Sequence, residues 1–126
     1  MASVVKLLFV VLLLHIFADI VASQPCGLTS IQVQQTNTGA KVGNDPVFEV
    51  EVKNLCHCNV AKLLLRSEGF ASSMLVDPKL FRREGNDYLV NDGKSIQSSL
   101  SVKFSYAWDR AFTMSAESFL IQQNCK

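Results

Sequence analysis

The sequence predicts an all-β fold, a small disulfide-linked antiparallel β-sandwich that follows a cleaved N-terminal signal peptide. Three features predict it. The chain begins with an apolar leader, it carries an even number of cysteines after that leader, and apolar and polar residues alternate with period two along much of the remainder. Turn residues separate the alternating segments at intervals typical of sandwiches. Residues 24–126 are long enough for a single domain.

Residues 1–23 have the pattern of a signal peptide. Lys6 precedes a largely apolar run over residues 7–17, and residues 21–23 supply the small side chains that a signal peptidase reads. The run is shorter than the roughly 20 apolar residues that cross a bilayer. We therefore expect cleavage before Gln24, secretion into the extracellular space, and no membrane insertion of the mature protein.

Period-two alternation indicates strands with one face on a core and the other in water. Trp108, at the end of the last alternating segment, is the one inward residue that we expect to be partly exposed. Residues 60–66 and 112–123 also fit helices, and we interpret both as strands. The inward apolar positions are Ile31 and Val33, then Phe48, Val50 and Val52, then Leu100, Val102, Phe104, Tyr106 and Trp108.

Turns rich in Gly, Asn and Asp fall at residues 38–39, 43–46, 85–87 and 91–93. Because these residue types tolerate positive φ, the last of the four predicts a tight hairpin after the apolar residues 88–90.

The four cysteines are Cys26, Cys56, Cys58 and Cys125, an even set that predicts two disulfides in an exported protein. The Cys56-His57-Cys58 motif also suggests a metal site, but its spacing matches no zinc pattern. A bond between Cys56 and Cys58 would close a small, strained ring. Cys26 and Cys125 should therefore each bond to one of the two, and the sequence leaves open which. We expect neither a metal nor a cofactor.

Two patterns are compatible with carbohydrate chemistry. Glu49 and Glu51 share a strand face about 7 Å apart, within the range of a glycosidase carboxylate pair. No apolar residue flanks them on that face to raise a pKa, so we interpret them as a solvated outer face. The aromatic stripe over residues 104–108 would suit sugar stacking, but it has the parity of the inward positions and is better explained as a core strand.

The formal net charge is only +1, which argues against nucleic acid or an anionic membrane as the main partner. Lys79, Arg82 and Arg83 form a short basic stretch, and we place Arg82-Arg83 in a polar loop. Arg82-Arg83 fits a solvated pair, a dibasic processing site, or a contact for an acidic receptor surface.

The order and spacing of several motifs over residues 26–126 resemble the plant tapetum determinant family of small secreted cysteine-rich proteins. Its relatives often carry the label β-1,3-N-acetylglucosaminyltransferase family protein. The motifs are Cys26-Gly27, Cys56-His57-Cys58, Gly69-Phe70-Ala71-Ser72, Val76-Asp77-Pro78-Lys79-Leu80-Phe81-Arg82-Arg83, Leu89-Val90-Asn91-Asp92-Gly93, Phe104-Ser105-Tyr106-Ala107 and Cys125.

The resemblance implies a secreted, non-enzymatic, ligand-like protein of the apoplast. The implied partner is the extracellular domain of a leucine-rich-repeat receptor kinase, and the implied process is cell-fate determination in plant reproductive tissue. Lys79, Arg82 and Arg83 become candidate receptor contacts. The alternatives are a cell-wall carbohydrate-binding module and an inhibitor of an apoplastic hydrolase. Glycosyltransferase activity is disfavoured, because the sequence has no Asp-x-Asp element and no Gly-rich phosphate loop.

One departure from the family concerns its cysteines. Members usually have six, and Ser67 and Tyr88 occupy two of those positions here. Because both are missing together, we infer that the two positions are bonded to each other in relatives. We expect Ser67 and Tyr88 to face each other across adjacent strands, with Cα atoms within about 7 Å, and the segment between them to be more mobile than in relatives.

Overall fold

The computed structural model describes residues 26–125, so the predicted signal peptide lies outside the described residues. Two antiparallel sheets confirm the predicted all-β fold: β1-β2-β6 forms a three-stranded sheet and β4-β5-β3-β7 a four-stranded sheet. Within residues 26–125, no helix is long and apolar enough to cross a membrane. The strands are β1 (Ile31–Val42), β2 (Asp45–Asn54), β3 (Val60–Arg66), β4 (Phe81–Glu84), β5 (Asp87–Val90), β6 (Ser101–Ala107) and β7 (Ser115–Ile121).

The three-stranded sheet follows the predicted alternation closely. Val50 lies opposite Phe104 in the β2–β6 register, and both side chains are buried. Trp108 is half-buried, as expected at the strand end. The interpretation of Leu100 was wrong, since this side chain is 53% exposed. Its N–H donates to the carbonyl of Gln97, so the residue lies in a turn before β6 begins.

Residues 60–66 form a strand because they pair on both sides, with β5 and with β7. A register shift between Ala61 and Leu64 accompanies a positive φ of 50° at Lys62. This bulge inserts one extra residue, so Val60 and Leu63 both point into the core although they are three residues apart. Residues 112–123 contain a shorter strand than predicted, Ser115–Ile121.

The turn at Asn91–Gly93 is left-handed, with φ values of 57°, 57° and 76°. Positive φ was therefore anticipated correctly, but the predicted hairpin was wrong. β5 pairs with β3 and β4, whereas the next strand, β6, belongs to the other sheet. The tight turn in this region joins β4 to β5 instead, at Gly85, whose φ is 64°.

Phe70 anchors the long connection between β3 and β4. Its ring lies 5.1–5.3 Å from the rings of four other aromatic residues: Phe81, Tyr88, Tyr106 and Phe112. Phe81 stacks in turn on Phe104 of the opposite sheet, with ring centroids 4.3 Å apart. The connection is thus fastened to the core at Phe70.

Ser67 and Tyr88, the two vacated cysteine positions, are both buried on the inner face. Tyr88 lies opposite Leu65, and Ser67 comes two residues after Leu65, just beyond the end of β3, so the register does not place Ser67 directly opposite Tyr88. Tyr88 fills its site by stacking on Phe81 at 4.8 Å. Ser67 fits less well, because its buried hydroxyl has no hydrogen-bond partner among residues 26–125. That their Cα atoms lie within about 7 Å of each other stays a prediction.

Tyr106 holds the connection between β6 and β7 from inside the sandwich. Its hydroxyl donates to Oε1 of Gln35 and accepts from the N–H of Phe112 at 2.9 Å. Gln35 closes the ring of contacts, since its Nε2 donates to the Phe112 carbonyl at 2.6 Å. Burial raises the pKa of the Tyr106 phenol, against a smaller lowering by the hydrogen bond from Phe112.

The inward and outward positions should differ sharply in their tolerance of truncation. Phe104→Ala should lower the free energy of unfolding by about 3 to 5 kcal/mol, because it removes a buried ring that packs on Phe81. Glu49→Ala, on the exposed face of the adjacent strand, should cost about 0.5 kcal/mol or less. Chemical denaturation measures both, and similar losses would show that the assigned core face is wrong.

Candidate binding surface

Both disulfides meet at the short connection between β2 and β3. Cys26 is bonded to Cys56 and Cys58 to Cys125, with Cα atoms 5.5 and 5.8 Å apart. This is one of the two pairings that the sequence left open. The sulfur atoms of Cys26, Cys56 and Cys58 and a ring nitrogen of His57 lie within 4.8 Å of one another. These sulfurs are already in disulfide bonds, so they offer no thiolate to a metal.

The side chain of Asn54 holds the backbone of this connection through hydrogen bonds. Its side chain is buried, and Nδ2 donates to the carbonyls of Cys58 and Ile96 at 2.9 and 3.0 Å. Its Oδ1 accepts from the N–H of Cys56 at 2.9 Å. One amide thus ties three backbone groups together beside both disulfides. Sequence patterns do not indicate this role, because an Asn at the end of a strand usually indicates only a turn.

Arg82 and Arg83 lie on strand β4, so their placement in a polar loop was wrong. Phe81 points into the core, and the alternation along the strand then sends Arg82 to the outer face of the four-stranded sheet. Arg82 Nη1 forms an ion pair with Asp92 and also donates to the carbonyl of Pro78 at 3.3 Å. Its side chain is 40% exposed, so the head group is accessible but fixed in direction.

Arg83 and Lys79 flank this ion pair along the chain. Arg83 is exposed, and its Nε donates to the carbonyl of Gly85 at 3.0 Å. Lys79 is exposed on the turn before β4, where its N–H donates to the Asp77 carboxylate at 2.9 Å. All three predicted contact residues therefore have direct access to solvent.

A shallow depression of about 290 Å³ lies beside the ion pair. Its floor includes Leu89, which points outward from β5 and yet is only 7% exposed. The turn Asn91–Gly93 covers it, since a Cβ on Gly93 would lie 3.7 Å from the Leu89 methyl groups. The lining residues are Lys62, Leu64, Glu84, Leu89, Asp92 and Gly93.

The positively charged groups of this surface lower the pKa of Asp92. The hydrogen bond from Arg82 lowers it most, followed by the charge of Arg82, with smaller lowering by Lys94 and Lys79. Desolvation raises it, by more than either lysine lowers it. The sequence analysis identified Arg82 and Lys79 and missed Asp92 and Lys94, because the ion pair joins residues on different elements. We call Lys79, Arg82, Arg83, Asp92 and Lys94 the basic surface.

The two carboxylates and the aromatic stripe that were considered for carbohydrate chemistry lie where the sequence analysis placed them. Glu49 is exposed, and Glu51 forms a cross-strand ion pair with Lys103 at 3.5 Å, so both belong to an outer face. Tyr106 is fully buried, and Trp108 is half-buried, with its ring centroid 6.3 Å from that of Phe112.

These features define the chain as a small disulfide-linked β-sandwich with an ion-paired, charged surface. The family profile described as Tapetum determinant 1, C-terminal, matches residues 27–123. The chain therefore belongs to the tapetum determinant family, which is associated with signalling.

Individual relatives agree with this assignment. The chain is 34% identical to TPD1 protein homolog 1 of Arabidopsis thaliana over 98 residues, which cover 75% of this chain and 55% of the relative. It is 34% identical to TPD1 protein homolog 1B of Oryza sativa subsp. japonica over 91 residues, covering 71% and 54%. It thus spans about half the length of these curated relatives. No solved structure matches it.

The Asp92 carboxyl should titrate below its ordinary pKa of about 3.9. Because the pKa is lowered in the folded protein, the ion pair should stabilise the turn above that pH and be lost as the pH falls through the folded value. NMR titration of the side-chain carboxyl measures the pKa directly. Arg82→Ala should raise it toward the ordinary value, whereas Arg83→Ala should leave it nearly unchanged. Equal effects of the two substitutions would contradict the assigned ion pair.

Proposed function

We propose that this protein is a secreted, non-enzymatic ligand that binds the extracellular domain of a leucine-rich-repeat receptor kinase and acts in cell-fate signalling in plant reproductive tissue. Family membership supports the signalling part of the proposal. Two disulfides in a small domain support secretion to the apoplast, because such bonds persist mainly in oxidising compartments.

The observation that carries the binding proposal is the fixed orientation of Arg82. The Asp92 carboxylate and the Pro78 carbonyl both hold its guanidinium, and part of the group still faces solvent. An arginine that is ordered before binding loses less side-chain entropy when a partner contacts it. Lys79 and Arg83 add charge on either side, so an acidic patch on a receptor is the complementary partner surface.

The connection that leads to the basic surface carries an apolar candidate contact. Leu75 is 91% exposed, although its neighbours Met74 and Val76 are partly buried. A leucine held out in water by an otherwise anchored segment gains free energy when a partner covers it. Leu75 therefore suits a protein partner better than a polysaccharide.

The carbohydrate-binding alternative receives less support. Such a module stacks sugars on exposed, coplanar aromatic rings, and Phe104 and Tyr106 are buried in the core. The ring of Trp108 is tilted by 31° from that of Phe112. Among the described residues, the 104–108 stripe therefore presents no flat aromatic platform to a sugar chain.

Binding of the secreted protein to a panel of receptor-kinase ectodomains tests the proposal, for example by biolayer interferometry. Lys79→Ala combined with Arg83→Ala should weaken binding to the cognate ectodomain on the order of tenfold, and mostly at low salt. Arg82 is kept in this variant, because its ion pair also supports the turn.

The matched control combines Lys41→Ala with Arg110→Ala, which removes the same charge from exposed positions elsewhere. It should bind like the unmodified protein. Equal weakening in both variants would assign the effect to net charge rather than to the basic surface. Failure to bind any ectodomain, together with binding to cell-wall polysaccharide, would favour the carbohydrate alternative.

A further inference from the structure

We propose that the Cys26–Cys56 disulfide is a site of thiol–disulfide exchange, with an external thiol or dithiol as its reaction partner. In this proposal, Cys58–Cys125 is the permanent cross-link. The inference rests on the surroundings of the two sulfur atoms and does not depend on the identity of a receptor.

The two sulfurs of this bond differ in access. Cys26 is half-buried near the start of the described chain, whereas Cys56 is 2% exposed. A thiolate must approach a disulfide sulfur directly to displace its partner. In this proposal, an incoming thiolate attacks Cys26 Sγ, and Cys56 is the leaving group. Cys125 is half-buried and Cys58 is 5% exposed, so the other disulfide has a similar asymmetry. The preference for Cys26–Cys56 therefore rests on the hydrogen bond to Cys56 Sγ and on His57.

The leaving group has a hydrogen-bond donor in place. The backbone N–H of Cys58 donates to Cys56 Sγ at 3.2 Å. Such a bond favours the thiolate over the thiol, and a more stable thiolate leaves faster. The Cys-x-Cys spacing places this donor next to the sulfur, because the N–H two residues after a cysteine can turn back toward its side chain.

His57 lies on the side of the accessible sulfur. Its Nδ1 is 3.7 Å from Cys26 Sγ, and the side chain is exposed. In its protonated form, the imidazole attracts an incoming thiolate, and it can later donate a proton to the released sulfur.

The exchange is balanced in two steps. First, the external thiolate attacks Cys26 Sγ, forms a mixed disulfide with it, and releases Cys56 as a thiolate. When the reagent is a dithiol, its second thiol then attacks the reagent's first sulfur, which is bonded to Cys26 in the mixed disulfide. This attack releases Cys26 and leaves the dithiol oxidised. Two electrons pass from the dithiol to the protein, and the two cysteines take up protons to become thiols.

Reduction at this site should leave the sandwich folded. Cys26 precedes β1, and the strand pairings of both sheets begin after it. The N–H of Leu55 also donates to the Ser30 carbonyl at 2.8 Å, which holds the start of β1 in place. Of the described residues, those between this disulfide and the contact at Ser30 are 26–29, and they include the half-exposed Leu28.

The test is partial reduction of the disulfide-bonded protein with limiting dithiothreitol, followed by rapid alkylation and peptide mapping by mass spectrometry. Cys26 and Cys56 should be alkylated on the order of tenfold faster than Cys58 and Cys125. In a parallel reaction with glutathione, the trapped mixed disulfide should be on Cys26. Circular dichroism of the partly reduced protein should retain the β-sheet signal.

His57→Gln should slow adduct formation at Cys26 several-fold, whereas Leu55→Ala, an exposed change in the same connection, should not. Equal rates for the two disulfides, earlier reduction of Cys58–Cys125, or a glutathione adduct mainly on Cys56 would each overturn the proposal.

Discussion

The fold depends on the short connection between β2 and β3, residues 54–60, where the chain passes from one sheet to the other. Cys56 and Cys58 fasten the two ends of the described chain to this connection, while the buried amide of Asn54 holds its backbone. A domain of about 100 residues has only a modest core, to which cross-links add stability. The cross-link that closes the 67-residue loop lowers the entropy of the unfolded chain more than the one that closes the 30-residue loop, so Cys58–Cys125 adds most to the modest core.

The candidate binding surface is held in place by an ion pair rather than by disulfides. A left-handed turn is laid over the outer face of the four-stranded sheet, and the ion pair between Asp92 and Arg82 attaches it there. An exposed ion pair contributes little stability. Its main effect is to fix the direction of a guanidinium that solvent can still reach. The disulfide-linked connection thus stabilises the domain, and the weaker contacts around Arg82 shape the surface proposed to bind a receptor.

Alternation predicted the strands well because burying one face of a sheet constrains every second residue, and Val50 and Phe104 are buried for that reason. The alternation pattern could not predict features that depend on contacts between distant parts of the chain. Asn91–Gly93 has the left-handed residues of a hairpin, but only tertiary packing decides that the chain leaves the sheet there. The basic stretch was visible in sequence, whereas its partner Asp92 was not. The roles of Asn54 and of the bulge at Lys62 also depend on neighbours that lie far away in the sequence.

The most direct measurement of the central claim compares the free energy of unfolding of Asn54→Ala with that of Asn37→Ala. Both asparagines accept a hydrogen bond from a backbone N–H two residues ahead, but Asn37 is exposed and Asn54 is buried. Asn54→Ala should cost at least about 3 kcal/mol, since it leaves buried backbone groups without partners. Asn37→Ala should cost about 1 kcal/mol or less. Equal and small losses would show that the connection does not hold the two sheets together as described.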